Sequence, residues 1–433
     1  MVLPFFTRLI MKERKRADEF RNTDRRDEYN RYICIPRLNA WDISLRSLKR
    51  CMHETYTDCP FYEQLQYAMD ARSQILYTYS ISGDARLAKQ CMEDFRRSQR
   101  ADGTLNSCYP DSEPNVIPTF SIYYILMLHD FMMYHGDKKF IARHMGCVDS
   151  ILNFFEEHIE QRGLVGKIGA ALTERGYWSF IDWAPQWETT TGMPAAGLTG
   201  PITMESFLYV YGLMHAAEIM EYMNRCDTAK EYRQRAGKVR EAINKYCRDQ
   251  EGYYLDGPGV SQYSQHCYVF AVLTESVSVE KGKEMLLQTL KDTKRYAPCS
   301  VAMAFYLFRA LEITNTYEKT DLLWNIWREM LQKHLTTCVE NTVDERSDCH
   351  AWGAVILYEM PSVILGVRPG APGYKKIMIR PISGYLESAE GEVITPYGII
   401  RVAWKKEETG EIKLSYKIPE ACNAEVIVEK SGA

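Results

Sequence analysis

Two short runs concentrate the residue types that move protons. The first is Asp58-Cys59-Pro60-Phe61-Tyr62-Glu63, continuing through Tyr67 to Asp70. Pro60 stops a helix from running through, so Asp58 is expected in a loop just ahead of one. From Glu63 to Asp70 is a seven-residue step, about two turns, which predicts one shared face of a helix over 64–80. Three carboxylates would then converge at the mouth of that helix. Crowded like charges raise at least one pKa, and a carboxyl kept protonated can act as a general acid. The plainer alternative is that Asp58 caps the helix and the other two are solvated.

The second run is Thr336-Thr337-Cys338-Val339-Glu340-Asn341, followed by Arg346-Ser347-Asp348-Cys349-His350-Ala351-Trp352. Glu340 follows a helix end and His350 stands where the last helix starts, the places where a pocket forms on one end of a helical barrel. Taken alone, they read equally as surface or capping residues. A third run, Trp178-Ser179-Phe180-Ile181-Asp182-Trp183, could stack on a sugar ring and accept hydroxyl hydrogen bonds. It could also be a buried aromatic cluster braced by Asp182. There is no nucleophile elbow, no GxGxxG and no phosphate-loop lysine, so cofactor chemistry is not expected and no metal is required.

The elements that must position these groups are mostly helical. Apolar periodicity marks twelve segments, near 41–54, 64–80, 84–99, 120–135, 137–159, 204–223, 225–248, 262–275, 279–293, 299–313, 315–335 and 350–366. Gly83-Asp84 and Gly136-Asp137 are short links in which Gly ends one helix and Asp caps the next. Such links make antiparallel hairpins, and six hairpins can close into an (α/α)6 barrel. The long gap at 160–203, rich in Gly, Trp, Thr and Pro, is expected to be functional. After Pro369 the period turns to two: Ile400, Val402 and Trp404 alternate, as do Ile412, Leu414, Tyr416 and Ile418. The predicted organisation is a charged leader over 1–40, the barrel over 41–368 and a small C-terminal antiparallel β-sandwich over 369–433.

Bulk properties narrow the classes. A net charge of −4 gives no electrostatic reason to bind nucleic acid or anionic lipid. The 13 cysteines show no metal-type spacing and suit reduced thiols packed as small apolar residues. No stretch approaches a membrane span of about 20 apolar residues. The apolar Val2–Phe6 precedes the charged Lys12–Arg16, the reverse of a signal peptide, so a cytoplasmic protein is expected. The mixed-charge stretch Lys12–Arg31 reads as an exposed helix or leader.

The chain resembles glycoside hydrolase family 78, the α-L-rhamnosidases. The resemblance rests on DCPFYEQLQYAMDARSQ at 58–74, FIDWAP at 180–185, TTCVE at 336–340 and SDCHAW at 347–352, and continues with LGVRPGAPGYKKIMIRP at 365–381 and EGEVITPYGIIRVAWK at 390–405. It implies an inverting hydrolase in which Glu63 is the general acid and Glu340 the general base. It also implies that Asp58 and Asp70 hold rhamnose hydroxyls, with Asp182, Trp183 and His350 lining the pocket. Tyr67, Trp178 and Trp352 complete the expected sugar contacts. The substrate would be a rhamnosylated glycoside or small oligosaccharide.

The chain departs from the better-known first motif at three positions: Phe61 for an Arg, Tyr67 for a Trp and Met69 for a Gly. Its Asp58-to-Glu63 spacing is one residue shorter. These changes bear on the sugar more than on the reaction type. Only about 40 residues precede the barrel where the family carries β-domains, which suggests a minimal member, a truncated product or half of a split enzyme. Two alternatives remain at this stage: a hydrolase or lyase for another sugar, and a non-catalytic sugar-binding relative.

Overall fold

The structure, a computed structural model, describes residues 9–13, 36–113, 115–172, 176–420 and 422–429. Fourteen α-helices are present among them. The first seven are α1 Pro36–Arg50, α2 Ala68–Ser82, α3 Arg86–Arg97, α4 Phe120–His135, α5 Lys138–Ala142, α6 Met145–Glu157 and α7 Thr203–Tyr222. They continue with α8 Cys226–Tyr246, α9 Gln265–Leu273, α10 Val279–Lys291, α11 Ala304–Ile313, α12 Thr320–Leu323, α13 Asn325–Gln332 and α14 Ile356–Tyr358.

Composition sorts these helices into two rings. In α2 every residue from Ala68 to Ile81 is buried, and α4, α7, α9 and α11 are apolar nearly all round. A helix with no polar face must be enclosed. By contrast, α3 buries only Ala88, Cys91, Met92 and Phe95, a single stripe at three- and four-residue steps. α6, α8, α10 and α13 have the same one-sided pattern and form the outer layer. Inner helices contact in the order α2, α4, α7, α9, α11. Phe305 on α11 meets Tyr358 on α14 at 5.2 Å, and the Tyr77 hydroxyl on α2 donates to the Trp352 carbonyl at 3.0 Å, which closes the ring. The result is a six-hairpin barrel.

All twelve expected segments are helical, with instructive differences at their ends. The 137–159 and 315–335 segments are each broken in two. The last is short because Pro361 cannot donate to the ladder, and Glu359–Ile364 adopts the wider π-helical turn instead. Gly83 (φ 66°) and Gly136 (φ 64°) end their helices in the left-handed conformation, and Asp137 caps α5 by accepting from Phe140 N–H at 3.0 Å. At the other link the capping position falls on Ala85, with Asp84 accepting from Arg86 N–H at 2.9 Å.

The strands are β1 Leu9–Glu13, β2 Tyr263–Ser264, β3 Tyr296–Ala297, β4 Val367–Pro369, β5 Lys376–Ile379, β6 Leu386–Thr395, β7 Gly398–Lys406, β8 Ile412–Lys417 and β9 Glu425–Val428. One C-terminal sheet has the antiparallel order β1-β6-β7-β8, the other the order β4-β5-β9 with β5 and β9 parallel. Ile400, Val402 and Trp404 point inward as expected, and Trp404 Nε1 donates to Ile364 O at 2.7 Å, tying the sheet to the barrel. On β8 the alternation fades: Ile412 is buried but Tyr416 is 45% exposed, because β8 is an edge strand. Part of the expected leader is also corrected, since β1 pairs with β6 as a strand. The charged residues 14–31 lie outside the described residues. Among the described residues no helix is long and apolar enough to cross a membrane.

Candidate active site

The first acidic run lies between α1 and α2 and is held by backbone pairing rather than by helix. Asp58 N–H donates to Leu65 O and Leu65 N–H to Asp58 Oδ1, both at 2.8 Å. Next along, Ala68 N–H donates to Ser107 O, and Tyr109 N–H to Gln66 O at 3.2 Å. Leu65 is therefore engaged with Asp58 and residues 66–68 with the loop 107–109, and α2 starts at Ala68 instead of 64. The expected shared helical face of Glu63 and Asp70 is thus corrected. Gln64, at φ 56°, turns the loop, and it is the loop that carries Glu63 to the same cavity as Asp70.

The opposing loop, 336–350, folds back on itself. Glu340 N–H donates to Ser347 O at 2.8 Å and His350 N–H to Cys338 O at 2.7 Å. Trp352 Nε1 donates to the Glu340 carbonyl at 2.9 Å, and Ser47 Oγ on α1 accepts from Cys338 N–H at 2.7 Å. Glu345 and Arg346 take positive φ values of 62° and 23°, and the tight turn they form aims the Arg346 side chain back across the site.

Between the two loops is a cavity of about 130 Å³. One wall is polar, made by Asp58, Glu63, Asp70, Glu340, Arg346 and His350. The other is apolar and aromatic, with Trp178, Phe180, Trp183, Phe120, Ile117 and Leu172. Phe180 lies 5.0 Å from both Trp178 and Trp183, ring centre to ring centre, so the three rings brace one another.

The polar wall is tightly connected. His350 Nε2 and Asp70 Oδ1 are hydrogen-bonded at 2.9 Å, while His350 Nδ1 stands 4.0 Å from Glu340 Oε2 without a hydrogen-bond partner. Arg346 spans the cavity: Nη2 pairs with Glu63 Oε1, and Nη1 is 3.4 Å from Glu340 Oε1. Burial, seconded by hydrogen bonding to Glu63, pushes Asp58 up to about 7. Burial also drives Asp70 well above the usual carboxylate range. Burial raises Glu340 too, with His350 and Arg346 pulling the other way. The same burial lowers His350, against the pull of Glu340 and Asp58. Burial thus favours the protonated, hydrogen-bond-donating forms of Asp58 and Asp70, while Arg346 bridges Glu63 and Glu340.

Of the residues singled out from sequence, Glu63, Glu340, Asp58, Asp70, Tyr67, Trp183, His350, Trp352 and Trp178 all line the cavity. Asp182 does not. It is fully buried behind the aromatic wall, where Oδ2 meets His266 Nε2 at 2.7 Å and Ser300 N–H at 2.8 Å, and Oδ1 meets Ser300 Oγ at 2.5 Å. With its lone pairs so engaged, Asp182 is a brace that ties the 178–183 loop to α9 and the segment before α11. Sequence reading missed Arg346, Phe180, Phe120, Ile117, Asn115 and Leu172. Arg346 had a signal, since it lies six residues beyond Glu340 in a loop already singled out. For Asn115 and Ile117 nothing in the sequence marks the loop that carries them.

Among the described residues, one group brings metal-ligand atoms together: Asp58, Cys59 and His350, all buried and within 4.8 Å of one another. Two of these three are already committed to the carboxylate network.

A six-hairpin barrel with acids from its first and last hairpins facing each other across one mouth is the design of a glycosidase domain. The sequence model of the bacterial alpha-L-rhamnosidase 6 hairpin glycosidase domain matches residues 36–364, and that of the bacterial alpha-L-rhamnosidase C-terminal domain matches 366–433. The chain belongs to the bacterial α-L-rhamnosidase family.

Solved structures agree. A glycoside hydrolase family 78 rhamnosidase of Bacillus sp. GL1 is 26% identical with a TM-score of 0.77, over 91% of this chain and 43% of that one. The α-L-rhamnosidase from Dictyoglumus thermophilum shares the fold at 18% identity and a TM-score of 0.73, over 97% and 45% of the two chains. The Streptomyces avermitilis α-L-rhamnosidase complexed with L-rhamnose does so at 17% and 0.72, over 98% and 38%. The chain thus spans less than half the length of these proteins. No curated protein sequence matches it.

Proposed function

We propose that this protein hydrolyses terminal α-L-rhamnosides with inversion, Glu63 protonating the leaving oxygen and Glu340 activating water from the opposite face. The observation that carries the proposal is the division of the cavity. Rhamnose has hydroxyls to be bound and a methyl group to be buried. The carboxylates and His350 offer hydrogen bonds on one side, and Trp178, Phe180 and Trp183 offer an apolar surface on the other. The rhamnose complex of the Streptomyces relative supports the same sugar.

An inverting pair needs about 6.5–9.5 Å between its carboxyls to admit water and the anomeric carbon. Glu63 and Glu340 are separated by the head group of Arg346, which occupies the ground that substrate and water would take. That side chain is 41% exposed, so it has solvent to withdraw into. Glu340, buried and beside His350, is the better placed to act as base. Asp58, whose pKa of about 7 leaves it partly protonated at neutral pH, can return a proton to Glu63 after each turnover. Asp70 and His350, locked together, are set to hold hydroxyls. The substrates that fit this reading are short rhamnosylated glycosides, met in the cytoplasm.

Release of p-nitrophenol from p-nitrophenyl α-L-rhamnopyranoside tests the proposal. Turnover of this compound, with none of the corresponding β-D-glucopyranoside, is expected. A folded protein that leaves the rhamnoside intact contradicts it, and an unsaturated product absorbing in the ultraviolet would identify a lyase.

The position of Arg346 gives a pH prediction. Its charge lowers the pKa of Glu340, so Arg346→Met lets that pKa rise. A base works only when ionised, so the acidic limb of the kcat/KM–pH profile, which reports the free enzyme, moves to higher pH. A limb that stays in place or moves to lower pH shows that Glu340 is not the base or that Arg346 does not act on it.

A further inference from the structure

The loop that carries Glu63 holds two large rings that are mostly exposed among the described residues. Phe61 is 76% exposed and Tyr62 is 60% exposed. Phe61 is the most exposed large apolar side chain among the described residues. The two rings pack edge to face, 5.1 Å between centres and 88° between planes, and so form a fixed corner rather than two loose side chains. Gln64 Nε2 donates to Phe61 O at 3.0 Å and Gln64 itself sits at φ 56°, so the turn that aims Glu63 into the cavity also turns Phe61 and Tyr62 out of it. Two more exposed apolar side chains stand on loops that frame the same mouth: Leu172, itself in the cavity wall, and Val343, between Glu340 and Arg346. A fixed pair of exposed rings beside a cavity mouth is a surface suited to binding.

We infer that Phe61 and Tyr62 form the leaving-group subsite, and that it takes a planar aromatic aglycone. This rests on the proposed rhamnosidase reading. If Glu63 protonates the glycosidic oxygen, the group attached to that oxygen leaves on the Glu63 side of the cavity, where these rings stand. The chemistry of the loop selects the kind of group. A sugar in that position needs side-chain amides, carboxylates or guanidinium groups for its hydroxyls. Pro60, Phe61 and Tyr62 offer a single hydroxyl among them, and the Gln64 amide gives one of its N–H groups to the loop's own backbone. A flat aryl group needs only ring faces and edges.

The test compares wild type with the double variant Phe61→Ala/Tyr62→Ala on two substrates, 4-methylumbelliferyl α-L-rhamnopyranoside and a rhamnosyl-glucose disaccharide. The variant should lose about tenfold or more in kcat/KM on the aryl rhamnoside, mainly through KM, and less than about twofold on the disaccharide. Equal losses on both, or no loss on the aryl compound, overturn the subsite. A second readout needs no turnover. In saturation-transfer difference NMR with free 4-methylumbelliferone, wild type should transfer to the coumarin protons and the double variant should not, while transfer to free L-rhamnose is the same in both. No transfer to coumarin from wild type overturns the subsite. So does wild-type self-association that the double variant abolishes, because the rings would then be a contact between copies. Wild type that binds coumarin but neither binds nor cleaves rhamnosides overturns the sugar reading and leaves the aryl platform standing.

Discussion

Glu340→Gln should lower kcat on p-nitrophenyl α-L-rhamnopyranoside by about 100- to 10,000-fold, the usual contribution of a positioned general base. The substitution keeps the shape of the side chain and removes only its ability to take a proton. The loop itself is held by the Glu340 backbone, through Ser347 O and Trp352 Nε1, so the fold should be retained. An anion small enough to fill the place of the water can then attack without a base. Azide should restore turnover in the variant, with the azide bonded to the anomeric carbon on the β face. A loss below about tenfold, or no response to azide, would remove Glu340 from the role of base.

Glu63→Gln has an equally large expected effect, but one that depends on the leaving group. On a rhamnosyl-glucose disaccharide, whose alkoxide cannot depart unprotonated, kcat should fall by about 100- to 10,000-fold. On 2,4-dinitrophenyl α-L-rhamnopyranoside, whose leaving group needs no proton, the loss should be under about tenfold. Asp58 would be the rival acid, since its pKa of about 7 already favours the protonated form near neutral pH. The two assignments separate cleanly. If Asp58 is the acid, Glu63→Gln should damage both substrates alike, and the steep dependence on leaving group should appear with Asp58→Asn.

The barrel was legible because its evidence is local. Inner helices such as α4 are apolar all round and outer ones such as α3 carry one apolar stripe, so each segment declares its layer without reference to the others. Gly136 and Asp137 likewise mark a helix end and a helix start by their own chemistry. The errors fall where a distant segment decides the outcome. Residues 64–67 have a helical pattern, but Leu65 is paired with Asp58 and Gln66 and Tyr67 with the loop 107–109, and no property of 64–67 reveals those partners. Asp182 looked like a sugar ligand because its neighbours are Trp and Phe. Its hydrogen bonds to His266 and Ser300, 84 and 118 residues away, claim it for the scaffold. The cavity's carboxylates were found from a resemblance spread over several motifs, because spacing alone reads as well for a cap and two solvated acids. Arg346 and Phe180 lie inside the runs already singled out, and only the folded loops show that they face the cavity.

If Glu63 and Glu340 act from opposite faces of one sugar, a single displacement inverts the anomeric carbon. The stereochemistry of the first product tests this most directly. Proton NMR should be recorded during the first minutes of hydrolysis of p-nitrophenyl α-L-rhamnopyranoside, before mutarotation mixes the anomers. β-L-rhamnose should appear first and the α anomer later, by mutarotation. Initial formation of α-L-rhamnose would mean net retention, and would contradict single displacement by a water activated at Glu340.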